Sequence, residues 1–201
     1  MKSLAYKTGH ASFVNIFYKN YGKKCIIDAP LLDIILRRLC QELTEKHGLF
    51  ENSVILGLQK GGVCLAQRLR HHLTAVLAGE VPTGFLDVTF YRDDFRRREA
   101  PLQANKTQVP FVLEKKKVIL VDDVLYTGRT VRAALDAMLA FGRPAAVELL
   151  VLVNRRYSRH LPIEPNYTGH EVNTLASQHV TVEWQENGFG QDGVWLLDKA
   201  D

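Results

Sequence analysis

The stretch Val118–Thr130, VILVDDVLYTGRT, decides how this chain is read. Its first four residues, VILV, have the texture of a strand buried on both faces, as in a parallel sheet covered by helices. They run into two adjacent carboxylates, Asp122 and Asp123, and then through Tyr126, Thr127, Gly128, Arg129 and Thr130 into a helical pattern. In open α/β sheets, ligands bind beyond the carboxyl ends of the strands. Two carboxylates placed there need partners, because leaving both desolvated and unpaired costs roughly several kcal/mol each. The vicinal hydroxyls of a sugar are one natural partner, since a carboxylate accepts from both, and a magnesium ion is another. Thr127 to Thr130 add hydroxyls, backbone N–H groups and the positive end of a helix dipole, which together suit a phosphate. Each charge-assisted hydrogen bond contributes about 1.5 to 3 kcal/mol, so a few of them hold such a group without a lysine. Gly128 allows the backbone to come close.

Working outward, Val131, Ala134, Leu135, Met138 and Leu139 mark one face of the following helix, which Gly142 and Pro144 end. AAVELLVLV, residues 145–153, is another continuously apolar strand. Residues 118–153 therefore form a strand, helix, strand unit of parallel type. Upstream, GFLDVTFY (84–91) alternates with Leu86, Val88 and Phe90 on one face, the period of a strand. SVILGL (53–58) leads as a strand into the tight turn Gln59-Lys60-Gly61-Gly62 and a helix from Val63 to Leu73. Leu32, Ile35, Leu36, Leu39 and Leu43 predict an amphipathic helix ending near Gly48. Repeated units of this kind give an α/β fold, a doubly wound and mostly parallel sheet flanked by helices. The run RDDFRRREAPLQANKTQVP (92–110) is charged and aperiodic, and a loop of that length is usually functional or disordered. After Val153 the texture turns to Pro, Gly, Asn and Arg, then to HVTVEW and VWLL, which predicts a small C-terminal cap over 154–201. Residues 1–24 show aromatics and lysines without a period and are read as an N-terminal arm ahead of a domain spanning 25–201.

Bulk properties narrow the class without choosing the activity. A chain of 201 residues that is 46% hydrophobic and 24% charged fits a single globular domain rather than a disordered or membrane protein. A net charge of +4 suits an anionic small molecule or a nucleic acid equally. Cys25, Cys40 and Cys64 have no framework spacing, so a reducing cytoplasm is expected. The N-terminus has no clean apolar leader, because Asn15, Lys19 and Asn20 interrupt it. Gln59-Lys60-Gly61-Gly62 suits a backbone bending round a diphosphate; it lacks the spacing of a Walker A loop. His71, His72 and the cysteines read as structural.

The segment VILVDDVLYTGRT resembles the PRPP signature of type I phosphoribosyltransferases. More narrowly, LDVTFYRDD, VILVDDVLYTGRTVRAALDA, LVNRR and LPIEPNYTG resemble the PyrR family, which pairs uracil phosphoribosyltransferase activity with control of pyrimidine operons. The likeness runs from about Ile26 to the end of the chain and implies the type I phosphoribosyltransferase fold, its C-terminal cap being the family's hood. It implies that Asp122 and Asp123 hold the ribose hydroxyls and the waters of Mg²⁺, while Tyr126 to Thr130 cradle the 5-phosphate. Gln59, Lys60, Gly61 and Gly62, with a cis bond entering Lys60, would meet pyrophosphate together with Tyr91 and Arg92, where the family's mobile flap (92–110) begins. The reaction implied is uracil plus PRPP giving UMP and pyrophosphate, with Asp122, Asp123, Lys60 and Arg92 as its catalytic residues. Purine-salvage relatives commonly carry an acid just before Thr-Gly, and Tyr126 stands there, which points to a pyrimidine. Arg155, Arg156 and the backbone near His179 to Val182, Val180 and Val182 included, are the candidates for holding the base. A homo-oligomer is expected.

A function of another class stays open beside the enzyme: a UMP-responsive RNA-binding attenuator, with Arg37, Arg38, Arg155, Arg156, Arg159 and His160 as its basic face. Regulatory members tend to carry Thr and His where this chain has Arg37 and Gln41, and a one-residue insertion sits near Tyr157. A PRPP-dependent regulator without turnover is a third, weaker reading.

Overall fold

The computed structural model describes residues 22–91, 107–175 and 177–198. Expectations that fall on 1–21 and 92–106, among them the roles of Arg92, Arg96, Arg97 and Arg98, lie outside the described residues. In chain order the elements are β1 (Lys23–Ile27), α1 (Ala29–His47), β2 (Ser53–Leu58), α2 (Gly62–Leu77), β3 (Thr83–Leu86), β4 (Lys117–Leu125), α3 (Arg129–Met138), β5 (Ala146–Arg156), β6 (Tyr167–Asn173), β7 (Gln178–Glu183) and β8 (Gly193–Asp198). Five strands form a wholly parallel sheet in the order β3-β2-β4-β5-β6. The other three form an antiparallel sheet in the order β1-β8-β7.

The uninterrupted apolar runs follow from burial on both faces. Along β4, Ile119 and Val121 join the core under α1 and α2, while Val118 and Leu120 join the core under α3. Each such side chain taken out of water contributes about 1.5 to 3 kcal/mol, and a polar residue on these strands needs a partner, as Ser53 and Glu148 have in His47. α1 opens on Asp28, whose carboxylate accepts from Leu31 N–H at 3.0 Å, with Pro30 in the first turn, and it closes on Gly48 at φ 55°. Its buried stripe is the expected one with Cys40 added.

Several expectations need correcting. Residues 84–91 are not one strand: β3 ends at Leu86, and a short 3-10 turn covers Thr89–Tyr91. Asp87 causes the break, since its carboxylate accepts from the backbone N–H of Thr89 at 2.9 Å and from its hydroxyl, folding the chain back on itself. The buried face of α3 is Val131, Ala133, Ala134, Ala137 and Met138, whereas Leu135 and Leu139 are exposed, the latter in a terminal 3-10 turn that rotates it off the stripe. The cap does not begin at residue 154, because β6 is the fifth strand of the main sheet. Nor do residues 1–24 all belong to an arm. Lys23 and Lys24 open β1, which pairs with β8 and so belongs to the hood. Among the described residues no helix is long and apolar enough to cross a membrane, and the three cysteines are unpaired.

Candidate functional site

The acidic pair lies inside β4 rather than beyond it, and the sheet explains why the pair is nonetheless open on one side. Pairing of β4 with β2 stops at Gly57–Val121, while pairing with β5 continues through Asp122–Val151 to Leu125–Asn154. Asp122 and Asp123 therefore stand where β4 has outrun its inner neighbour. The turn Gln59–Gly62 fills the gap. A Cβ on Gly61 would fall 2.2 Å from the Asp123 carboxyl, and one on Gly62 would fall 2.0 Å from the Val121 carbonyl oxygen, so only glycines let the turn approach this closely. The peptide bond Gln59–Lys60 is cis, as the resemblance implied, and Gln59 N–H donates to Leu86 O at 3.0 Å. Lys60 is exposed.

Asp122 is 7% exposed and its carboxylate accepts from Asp123 N–H at 3.1 Å. Asp123 accepts from Val124 N–H at 2.7 Å. Burial nevertheless pushes the Asp123 carboxyl above its ordinary pKa, desolvation outweighing these backbone donors. A cation or a set of sugar hydroxyls beside it would relieve that cost.

Beyond Leu125 the chain turns through Tyr126 and Thr127 to Gly128, which takes φ 87° and caps α3. A Cβ on Gly128 would also press on Ile163 at 3.2 Å and Leu161 at 3.4 Å. The back of this turn is fixed by residues 160–163: the Thr127 carbonyl accepts from His160 N–H at 3.1 Å and Leu161 N–H at 3.3 Å. The first-turn donors and positive dipole end of α3 thus open beside the acidic pair. Tyr91 ends the 3-10 turn after β3 and is exposed.

The residues put forward for the base separate. Arg155, 2% exposed, lays its guanidinium 4.0 Å from the centre of the Tyr126 ring and donates to Thr174 Oγ1 and Gln178 O. Arg156 is exposed and pairs with Glu171 at 3.3 Å. The side chains of Val180 and Val182 are part of the apolar core, leaving only their backbone for a ligand. Two residues that the sequence reading did not place at the site belong to this cluster. Arg159 donates to the carbonyls of Leu125 and Tyr126 and to Asn154 Oδ1, tying the turn before α3 to the end of β5. Asn154 closes the apolar run of β5 and could have been suspected as the first polar residue at a strand end; Arg159 lies in aperiodic sequence that gives no such signal. Arg37 pairs with Asp33, while Arg38 reaches Glu42 and the carbonyls of Thr168 and Gly169 on β6. Arg38 and Arg156 thus flank one stretch of β6, whereas Arg155 and Arg159 turn inward to Tyr126.

Among the described residues, concavities of about 600 and 660 Å³ lie along Arg70–Thr83 and along 109–112, away from the acidic pair. The site is located by its chemistry, not by its depth.

A parallel sheet whose central strand carries two carboxylates between a glycine turn and a helix-opening turn, under an antiparallel hood, defines a phosphoribosyltransferase of type I. Residues 24–187 match the phosphoribosyl transferase domain. Solved structures agree in fold: a hypoxanthine-guanine phosphoribosyltransferase of Bacillus anthracis superposes with a TM-score of 0.63 over 90% of this chain and 99% of that one at 15% identity, and the hypoxanthine phosphoribosyltransferase of Trypanosoma cruzi with 0.66 over 89% and 92% at 15%. In sequence the chain is 45% identical to the bifunctional protein PyrR of Geobacter sp. over 157 residues (78% of this chain, 88% of that one) and 44% identical to that of Deinococcus radiodurans over 179 residues (89% and 97%). The chain belongs to the PyrR family.

Proposed function

We propose that this phosphoribosyltransferase transfers the 5-phosphoribosyl group of PRPP to uracil, releasing pyrophosphate and forming UMP. The observation that supports the reading is the close approach of Gly61 to Asp123, which sets the turn proposed for pyrophosphate beside the carboxylate proposed for the ribose. Asp122 and Asp123 orient the ribose hydroxyls and ease positive charge on the sugar as the C1–O bond to pyrophosphate loosens. Tyr126 to Thr130 hold the 5-phosphate at the start of α3. Lys60 and the turn 59–62 take the departing pyrophosphate, joined by Tyr91 and Arg92. The acidic pair, two adjacent carboxylates where β4 has outrun β2, suits a divalent ion whose shell water and substrate oxygens would complete, as is usual for Mg²⁺. When bound, Mg²⁺ supplies charge neutralisation of the pyrophosphate.

The base is assigned to a pyrimidine because Tyr126 replaces the acid of purine enzymes and is held flat by Arg155. With the purified protein, Mg²⁺ and PRPP, uracil should yield UMP while hypoxanthine and orotate yield nothing; turnover of either of the latter in place of uracil would reject the assignment. The unpaired thiols accord with the cytoplasm. A second activity, UMP-responsive binding of a pyrimidine-operon leader RNA, is favoured by the bifunctional name of the relatives. A gel shift of that leader at physiological salt should sharpen when UMP is added, and the absence of any UMP effect counts against it.

A further inference from the structure

The flank of α2 carries a charged cluster that the reaction described above leaves unused. Arg68, in the second turn of α2, spreads its guanidinium between two hood carboxylates. Nε and Nη2 donate to Glu186 at 2.9 and 2.7 Å, and Nη2 and Nη1 reach Asp192 at 2.9 and 2.7 Å. Its flat face lies 4.7 Å from the centre of the Trp184 ring, itself 1% exposed. Asp192 also accepts from Gln185 N–H at 2.8 Å, which closes the hood turn 184–192 on itself. One helical turn before Arg68, the Cys64 thiol donates to Asn187 Oδ1 at 3.4 Å.

Exposed ion pairs of one lysine and one acid contribute little, but this guanidinium is only 23% exposed, serves two carboxylates with all three nitrogens and is stacked on an indole. It belongs to the helix that starts at the glycine turn lying on Asp123. One rigid element therefore carries the pyrophosphate turn at its N-terminus and grips the hood on its side. α2 itself packs through Leu65, Ala66, Leu69 and Leu73, all fully buried, into a core that joins the sheet residues Ile55, Ile119 and Val121 as well as the hood's Val182 and Trp184.

We propose that Arg68 is a positioning residue for the acceptor base: by clamping Glu186 and Asp192 it sets how far the hood turn 184–192 stands from the start of α2, and so the depth of the space in which the base meets C1. The idea rests on the phosphoribosyl-transfer reading above. Because α2 keeps its packing against the sheet, release of the clamp should act on the base and spare PRPP.

The test is steady-state kinetics of wild type, Arg68→Gln, Glu186→Gln, Arg68→Lys and the Arg68→Gln/Glu186→Gln double variant, with uracil and PRPP varied separately and thermal melts recorded alongside. In Arg68→Gln, KM for uracil should rise about tenfold with KM for PRPP within about twofold. The double variant should be no worse than Arg68→Gln alone, since both act through one contact. Arg68→Lys should recover only part of the loss, because an ammonium cannot grip two carboxylates side by side. Equal rises in both KM values, or a lowered melting temperature with unchanged KM for uracil, would overturn the proposal by showing a merely structural clamp. If Arg68→Gln does not fold, Glu186→Gln and Asp192→Asn carry the same KM comparison. A wild type inactive on uracil would refute the reaction itself, an outcome distinct from any change in the split between the two KM values.

Discussion

At the scale of single residues, Asp123 shows a fold bearing a cost for its site. Its carboxyl is pressed against the Gly61 backbone, and desolvation raises its pKa above the usual value despite the hydrogen bond from Val124 N–H. A carboxyl raised in the folded state favours the fold most when protonated. That stability is full below the unfolded pKa of about 3.9 and fades as pH rises through the raised folded value. Asp123→Asn keeps an oxygen to accept from Val124 and removes the buried charge. The variant should therefore melt higher than wild type at pH 7, a difference that shrinks towards pH 4, while losing activity by on the order of 100-fold or more. Calorimetry across pH together with a UMP-formation assay checks both halves, and a lowered melting temperature at pH 7 would contradict the sign. The carboxylates were legible from sequence because two charges at the end of an apolar strand are costly unless used. Arg159 was not, because its role depends on carbonyl groups of residues 125 and 126 that no pattern exposes.

At the scale of elements, the buried strands and the helices were readable wherever one periodicity ruled. β2 matches SVILGL residue for residue, and α1 ends at its glycine. Readings failed where a side chain competed with the ladder, as Asp87 does in capturing Thr89, or where a helix changed pitch, as at Leu139. The strand limits of β4 and β5 were underestimated for a different reason: a parallel strand can run past one neighbour while still paired with the other, and that depends on the sheet order rather than on local sequence. Gly128 tests the element proposed to hold the phosphate. It takes φ 87° and faces Ile163, so Gly128→Ala should lower stability by about 1 to 2 kcal/mol and raise KM for PRPP more than KM for uracil. Urea midpoints and kinetics with each substrate measure this, and an Ala variant with unaltered KM for PRPP would remove the turn from the phosphate site.

At the scale of the whole molecule, the end of the sheet opposite the site is tied by a buried polar network. His47, its side chain fully enclosed, contacts Ser53 Oγ at 2.9 Å, Tyr167 OH at 3.0 Å and Glu148 at 3.2 Å, joining α1 to β2, β5 and β6. Burial lowers the His47 pKa, outweighing the pull of Glu148, so the neutral ring belongs to the fold. The stability it contributes is present above the unfolded histidine pKa of about 6.5 and is lost as pH falls through the lower folded value. Unfolding free energy should therefore decline as pH falls below about 6.5, and His47→Asn should flatten that decline. Urea titrations at several pH values decide it; an equally steep variant would assign the slope to other groups.

The hood unites the two ends of the fold, for β1 lies beside β8, nearly the whole chain length away. During synthesis, the strands that build the phosphate and ribose side leave the ribosome well before the partner that β1 awaits. A nascent chain released after β6 would carry the acidic pair and both turns beside it, the side proposed for the donor, without the sheet β1-β8-β7 that is proposed to face the acceptor. Synthesis of the last strand is thus what closes the hood, since β8 alone bridges β1 to β7.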